Sequence, residues 1–253
     1  MRNLLKFLKL DDAEIRNVKS NYEILSNKEI FNRMKKIISL IFILLGLFGC
    51  ESQQQQKVDK KTSVTTYEDL YAKAPSGATP AHFKGGQNAA VVIEEFADFQ
   101  CPTCALLHPT VQELLAAYGE KIKVIFRNFP LPMHSKAFDA ALAAEAAGLQ
   151  GKFWEMQNLL FVNQKSWATS QDHRKVFEDY AQKLGLDVEK FKADMASLTT
   201  RSRVEKDIER GKALKVMSTP SFFINGKPLN FEDTEFQRFR AVIESELQKS
   251  RGN

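Results

Sequence analysis

The apolar residues after position 80 follow two kinds of spacing, and each predicts a different element. Residues 89–96 form a compact apolar run with β-branched side chains, which is typical of a buried central strand. Residues 105–118 place leucine and valine side chains on one face of a predicted helix. Residues 122–129 alternate and then run apolar, so they predict a second strand that ends at Pro130.

The second half of the chain begins with a predicted helical block. Residues 135–210 have the spacing of several short helices, one of which Asp187 can cap. Residues 221–229 predict a β-hairpin, because two β-forming segments flank an Asn225-Gly226 turn. Residues 231–250 predict a closing amphipathic helix.

A short apolar segment lies well before this pattern and resembles an export signal. Lys35 and Lys36 precede an apolar run that ends at Cys50, and the run is shorter than the roughly 20 residues of a spanning helix. The end of the run resembles the lipobox of bacterial lipoproteins, in which the cysteine carries the lipid. We interpret residues 34–49 as a lipoprotein signal peptide and Cys50 as the lipid anchor. The alternative is a short membrane anchor that stays uncleaved.

The segments on either side of this signal are polar. Residues 1–33 are mixed and charged, so we expect translation to start at Met34 and the upstream part to be an over-extended reading frame. The alternative is a cytoplasmic extension ahead of an uncleaved anchor. Residues 50–80 include four consecutive glutamines and predict a flexible tether, which would hold the domain of residues 81–253 near a membrane.

The positive charge of the chain is concentrated in its first part. The whole chain carries a formal net charge of +5, with 36 basic and 31 acidic residues. Residues 1–49 hold nine of the basic and five of the acidic residues, which leaves a net charge of +1 for the rest. A polyanion-binding surface needs a clear basic excess, so no nucleic-acid partner is expected.

The segment Cys101-Pro102-Thr103-Cys104 follows the first predicted strand and starts the first predicted helix. Unpaired N–H groups and the positive end of the helix dipole favour a thiolate over a thiol at such a position. We therefore expect Cys101 to be an exposed nucleophile of low pKa and Cys104, one turn deeper, to resolve mixed disulfides. This spacing indicates redox chemistry.

Two other readings of the cysteine pair stay open at this point. The pair could be a purely structural disulfide. It could also bind zinc together with His108, although the chain has no second cysteine pair to complete a structural site. His108 is more simply a surface or packing histidine, and we expect neither a metal nor a cofactor.

Four short segments, in this order and at this spacing, resemble the DsbA-like thioredoxin family. They comprise residues 95–100, residues 127–131, residues 151–154 and residues 219–226. The resemblance covers residues 80–253 and implies an α/β thioredoxin fold with a helical domain inserted at about residues 135–210.

The same resemblance implies roles for further residues. Pro220 is expected to form a cis peptide and face the cysteine pair, and the backbone of Thr219 is expected to pair with an extended substrate segment. Glu95 matches a partly buried acidic residue that helps proton movement at Cys104, and Asp98 is a rival for that task.

These observations predict a protein disulfide oxidoreductase that acts on exported proteins. We favour a disulfide-forming oxidase that a membrane redox partner resets, held in the periplasm by the lipid anchor. A monomer is expected, because the segment between Cys50 and the fold is too short for a dimerisation domain. The alternatives are a disulfide isomerase or reductase, and a non-catalytic lipoprotein that binds extended peptides and carries a structural disulfide.

Overall fold

The strand that leads to the cysteine pair lies at the centre of a five-stranded mixed sheet. The computed structural model describes residues 66–252. The strands are β1 (His82–Gly85), β2 (Val91–Ala97), β3 (Ile122–Asn128), β4 (Ser221–Ile224) and β5 (Lys227–Pro228). Their order in the sheet is β1-β3-β2-β4-β5, with β2 and β3 parallel and the other pairs antiparallel.

Nine α-helices surround this sheet within the described residues. They are α1 (Tyr67–Lys73), α2 (Pro102–Tyr118), α3 (Ala137–Gly148), α4 (Phe153–Val162), α5 (Gln164–Thr169), α6 (His173–Lys183), α7 (Val188–Met195), α8 (Leu198–Ala213) and α9 (Phe236–Arg251). Helices α3 to α8 form the predicted helical block, which continues three residues beyond its predicted end at residue 210. Among residues 66–252, no helix is both long and apolar enough to cross a membrane.

The two faces of β2 contact different helices because alternate residues of a strand point to opposite sides. Val91 and Ile93 belong to an apolar cluster that includes residues of α2 and α9. Phe96 belongs to a second cluster with Phe129 and Leu214, on the other face. Glu95 is therefore on the face of β2 that meets α2, the helix that begins at the cysteines.

The helical block has an apolar core of its own, which continues to the cysteine pair. The small side chains of the alanine-rich helix α3 let neighbouring helices approach closely. Trp167, Phe177 and Phe191 are fully buried in the same apolar cluster as these alanines. Cys101 and Cys104 belong to the same cluster. The block is thus packed directly beneath the thiols.

The predicted hairpin is confirmed. Strands β4 and β5 pair across a turn in which Asn225 and Gly226 both have positive φ, 47° and 82°. Asparagine and glycine tolerate that region best, which is why the Asn-Gly pair predicts this turn.

The end of the predicted tether is part of the folded domain. Helix α1 begins after Thr66, whose side chain forms a capping box with Asp69. Ala78 is buried, and its amide and carbonyl groups bond to Asp207 and Arg127 at 2.8 and 3.0 Å. The predicted boundary at residue 80 is therefore wrong, because residues 66–80 use their backbone groups to complete a buried polar network.

The remaining N-terminal predictions lie outside the described residues. They are the over-extended segment of residues 1–33, the signal peptide of residues 34–49, the lipid anchor at Cys50 and the tether up to residue 65.

Candidate active site

The cysteine pair lies at the start of helix α2, directly after the central strand. Cys101 is the N-cap residue with extended backbone angles, and Pro102 occupies the first helical turn. Proline suits that position because its missing N–H would have no partner inside the helix. Both cysteines are free thiols, and Cys104 is completely buried. The expectation of an exposed Cys101 is wrong, since Cys101 is only 6% exposed where Thr219 and the helical block pack around it.

Cys101 is surrounded by hydrogen-bond donors. The Cys104 thiol, then the Thr219 side chain and the backbone amides of Cys104 and Thr103, lower the pKa of Cys101 to about 5 against the opposing effect of burial. Donors that point at a sulfur stabilise its charged form. Cys101 is therefore ionised at neutral pH.

The pKa of Cys104 is shifted in the opposite direction. Burial raises its pKa first of all, and the hydrogen bond and charge of Cys101 and the charge of Glu95 raise it further. Cys104 is therefore a neutral thiol while Cys101 is a thiolate. This asymmetry suits Cys101 to attack another sulfur and Cys104 to act second.

Thr219 and Pro220 face the thiols from the other side. The Thr219–Pro220 peptide is cis, as the resemblance implies. The Cys101 sulfur lies 3.3 Å from the carbonyl oxygen of Thr219, to which its protonated form donates.

A cavity of about 300 Å³ opens beside this contact. Thr103, Pro220, Phe222 and Phe231 contribute to its lining. Thr219 also lines the cavity and contacts the Cys101 sulfur, so an extended polypeptide could lie there beside the thiol.

The two acidic candidates have different surroundings. Glu95 is buried, and burial raises the pKa of its carboxyl to about 8. Asp98 instead accepts hydrogen bonds from the amides of Gln100 and Leu131 at 2.6 and 2.8 Å, and it lies 2.7 Å from His134. Asp98 thus fastens the loop before Cys101 to the loop after β3, whereas Glu95 is buried and its charge contributes to the raised pKa of Cys104.

His108 is a packing histidine, which is one of the two roles predicted for it; the other was a surface histidine. Its Nε2 atom lies 3.1 Å from the Asn158 side-chain oxygen, and its ring packs on Phe161. Burial lowers its pKa, so the ring is neutral at neutral pH.

One residue at this site has no counterpart in the sequence-based predictions. Gln164, the first residue of α5, donates from its side-chain amide to the carbonyl oxygens of Phe99 and Cys101. A glutamine at a helix start carries no local signal of such a contact, since its partners lie more than 60 residues away.

A central strand that runs into a Cys-x-x-Cys helix opposite a cis-proline is typical of thioredoxin-fold proteins. A family model described as thioredoxin matches residues 78–245, well over half of the chain. The chain belongs to this thioredoxin family.

Solved structures confirm the predicted fold class and the DsbA-like resemblance. BdbD from Bacillus subtilis in its oxidised form is 27% identical with a TM-score of 0.58, over 69% of this chain and 98% of that one. The thiol-disulfide exchange protein alpha-DsbA2 from Wolbachia pipientis is 18% identical with a TM-score of 0.59, over 73% and 94%. At that identity the second likeness concerns the fold alone.

Curated relatives include much longer proteins. The Na(+)/H(+) antiporter NhaA 1 of Mycolicibacterium gilvum is 38% identical over 149 residues, which are 58% of this chain and 23% of the antiporter. The chain spans about a quarter of the length of such relatives. The name antiporter therefore says nothing about the chemistry of this chain.

Proposed function

We propose that the protein is a thiol–disulfide oxidoreductase that works through Cys101 and Cys104. The opposite pKa shifts of the two thiols carry this proposal, because they divide the pair into an ionised sulfur and a protonated, buried one. A structural disulfide needs no such division. The carbonyl oxygen of Thr219, 3.3 Å from the Cys101 sulfur, supports Thr219 and Pro220 as the place where an extended substrate lies.

The direction that we propose is oxidation of the substrate. A substrate thiolate attacks Cys101 of the disulfide, the sulfur–sulfur bond breaks, and Cys104 leaves with the electron pair and takes up a proton. A second substrate thiolate then attacks the substrate sulfur of the mixed disulfide, and Cys101 leaves as a thiolate. The substrate loses two electrons and the cysteine pair gains them.

The low pKa of Cys101 supports this direction. A stabilised thiolate is a good leaving group, and it favours the reduced form of the pair, which makes the disulfide an oxidant. Glu95, with its pKa raised to about 8, can supply the proton that Cys104 needs when it leaves. Isomerase or reductase activity is the alternative, and a non-catalytic peptide-binding lipoprotein is a more distant one.

The biological setting is part of the proposal. We propose exported proteins with thiols as substrates, a membrane redox partner that reoxidises the pair, and a monomer held in the periplasm by a lipid on Cys50. The near-neutral charge after residue 49 supports protein substrates over nucleic acid.

The reduction potential of the Cys101–Cys104 pair, measured against glutathione, tests the direction. We expect a value well above the roughly −270 mV of thioredoxin. A value near that of thioredoxin would contradict the oxidase assignment and favour a reductase.

Single cysteine variants test whether the pair is catalytic at all. Cys101→Ser should abolish disulfide formation in a reduced model substrate. Cys104→Ser, mixed with oxidised glutathione, should accumulate a mixed disulfide on Cys101, because the Cys101 thiolate attacks the glutathione disulfide, releases one glutathione thiolate and finds no second cysteine to resolve the product. Unchanged substrate oxidation by Cys101→Ser would leave only the non-catalytic reading.

A further inference from the structure

The side chain of Gln164 connects the helical block to the loop that presents Cys101. Its Nε2 atom donates to the carbonyl oxygen of Phe99 at 2.7 Å and to that of Cys101 at 2.9 Å. Gln164 is only 8% exposed, so water competes little for these bonds. One amide group thus satisfies two carbonyls on either side of Gln100.

Helix α5, which Gln164 begins, is fixed along its length. Trp167 on this helix is fully buried and donates from its ring nitrogen to the carbonyl of Leu160 at 2.7 Å. At the other end, the Lys136 ammonium donates to the carbonyls of Ala168 and Ser170, both at 2.6 Å. The short helix is therefore a rigid support for Gln164.

Lys136 also forms a hydrogen bond with the active-site loop itself. Its backbone amide donates to the side-chain oxygen of Gln100 at 2.8 Å. The loop of residues 98–101 is consequently held by Gln164 from the N-terminal end of α5 and by Lys136 from its C-terminal end.

The two carbonyls matter for the charge on the sulfur. Carbonyl oxygens are the negative ends of peptide dipoles, and those of Phe99 and Cys101 belong to the same short loop as the thiolate. A donor on each of them reduces the negative potential that the thiolate experiences. The same bonds fix the loop, so that the amides of Thr103 and Cys104 stay directed at the sulfur.

We propose that Gln164 is a positioning residue for the thiol chemistry, which holds the carbonyls of Phe99 and Cys101 so that the Cys101 sulfur keeps its donors. Gln164 acts through the loop and does not contact the sulfur. This proposal rests on the proposed function of the cysteine pair and makes the helical block part of the redox site.

The test is the ionisation of Cys101 in the reduced full chain, followed by thiolate absorbance against pH. Gln164→Met keeps the length of the side chain and removes the donors, so the pKa of Cys101 should rise by about one unit, a tenfold loss of thiolate at a fixed pH below it. Gln164→Glu places a carboxylate against the two carbonyls and should raise it further.

Asn163→Ala is the matched control. Asn163 precedes Gln164 and donates from its side-chain amide to a backbone carbonyl, that of Leu159, at 2.9 Å. Its loss should lower the free energy of unfolding and leave the Cys101 pKa unchanged. Folded Gln164 variants with the wild-type Cys101 pKa would show that Gln164 only fastens the helical block, and the proposal would be wrong.

A measurement on the unaltered protein covers the case in which both variants fail to fold. The side-chain amide resonances of Gln164 should shift with pH in step with the ionisation of Cys101, and constant resonances would overturn the proposal. Failure of the proposed function has a different signature: the unaltered protein would have a Cys101 pKa near the ordinary 8.5 and would not exchange disulfides.

Discussion

At the scale of single residues, the pKa values of two cysteines three positions apart are shifted in opposite directions. Cys101 is at the N-terminus of α2 among donors, whereas Cys104 is one turn inside it among apolar groups and beside Glu95. The difference follows from the donors around Cys101 and from the depth of Cys104 beside two negative charges, those of Cys101 and Glu95. The effect of burial on ionisation can be measured most simply at Glu95.

The buried carboxyl of Glu95 should make stability depend on pH. Its pKa is raised from 4.5 to about 8, so the folded state keeps a proton that the unfolded chain has released. This contribution to stability is complete below about pH 4.5 and is lost as the pH rises towards 8. In the reduced protein, Glu95→Gln should therefore gain unfolding free energy relative to the wild type between pH 5 and pH 8, by on the order of 2–4 kcal/mol.

Urea unfolding of the reduced protein at pH 5, 6.5 and 8 checks this expectation. Glu113→Gln is the control, because Glu113 is an exposed carboxyl on α2. Identical pH dependence of wild type and Glu95→Gln would mean that Glu95 is ionised in the folded protein.

Residue-level prediction is possible where the chemistry is local. The spacing of Cys101 and Cys104 at a helix start predicts which sulfur has the lower pKa, because three of its donors, the Cys104 thiol and the amides of Thr103 and Cys104, lie within three residues of it. Asp98 and Gln164 could not be assigned in this way. Their partners, Leu131 and the carbonyls of Phe99 and Cys101, come together only when distant elements pack.

At the scale of elements, helix α8 meets the sheet through buried charges. Asp207 accepts hydrogen bonds from the amides of Ala78 and Asn128 and from the Arg127 guanidinium at 2.8, 3.1 and 3.0 Å. Arg210, one turn on, forms two bonds to Glu94 at 2.7 and 2.8 Å. These bonds join α8 to strands β2 and β3 and to the segment after α1.

Removal of one partner from this network should be costly. Asp207→Ala leaves the buried amides of Ala78 and Asn128 without an acceptor and removes one charged partner from Arg127, so a loss of about 3–5 kcal/mol of unfolding free energy is expected. On the same helix, Glu205 forms an exposed pair with Arg201 at 3.8 Å. Glu205→Ala should cost less than about 1 kcal/mol.

Chemical denaturation of the two variants under the same conditions gives the comparison. Equal losses would contradict a stabilising role for the buried network.

Elements with a strong apolar pattern could be predicted from the sequence, and weakly patterned ones could not. The strands at residues 89–96 and 122–129 agree with β2 and β3 to within two residues at each end. Helix α2 begins three residues before its predicted start, because Pro102 and Thr103 form its first turn. Strand β1 is only four half-buried residues long and lacks a clear alternation.

At the scale of the whole molecule, the folded domain starts earlier than composition indicates. Residues 50–80 are polar, and polarity is the usual sign of a flexible segment. The carbonyls of Pro75, Ser76 and Ala78 nevertheless bond to Arg210 and Arg127 at distances between 2.7 and 3.0 Å. A polar segment can therefore belong to the fold when buried charges require its backbone.

Truncation tests this boundary. A chain that begins at Ala81 lacks these carbonyls and the amide of Ala78, so Arg127, Arg210 and Asp207 lose partners in the interior. We expect its unfolding free energy to fall by about 3 kcal/mol or more relative to a chain that begins at Ser63. Urea unfolding of both purified chains gives the difference in stability. Equal stability would mean that residues 66–80 belong to the flexible tether and add nothing to the folded domain.

The attachment of residues 75–78 to two arginines also has a mechanical consequence. A pull on the chain from upstream of residue 66 reaches Arg127 on β3 and Arg210 on α8 before it reaches strand β1. Arg127 pairs with Phe96 near the end of β2 that leads to Cys101. A pull on the N-terminus is therefore passed to the active-site end of the sheet.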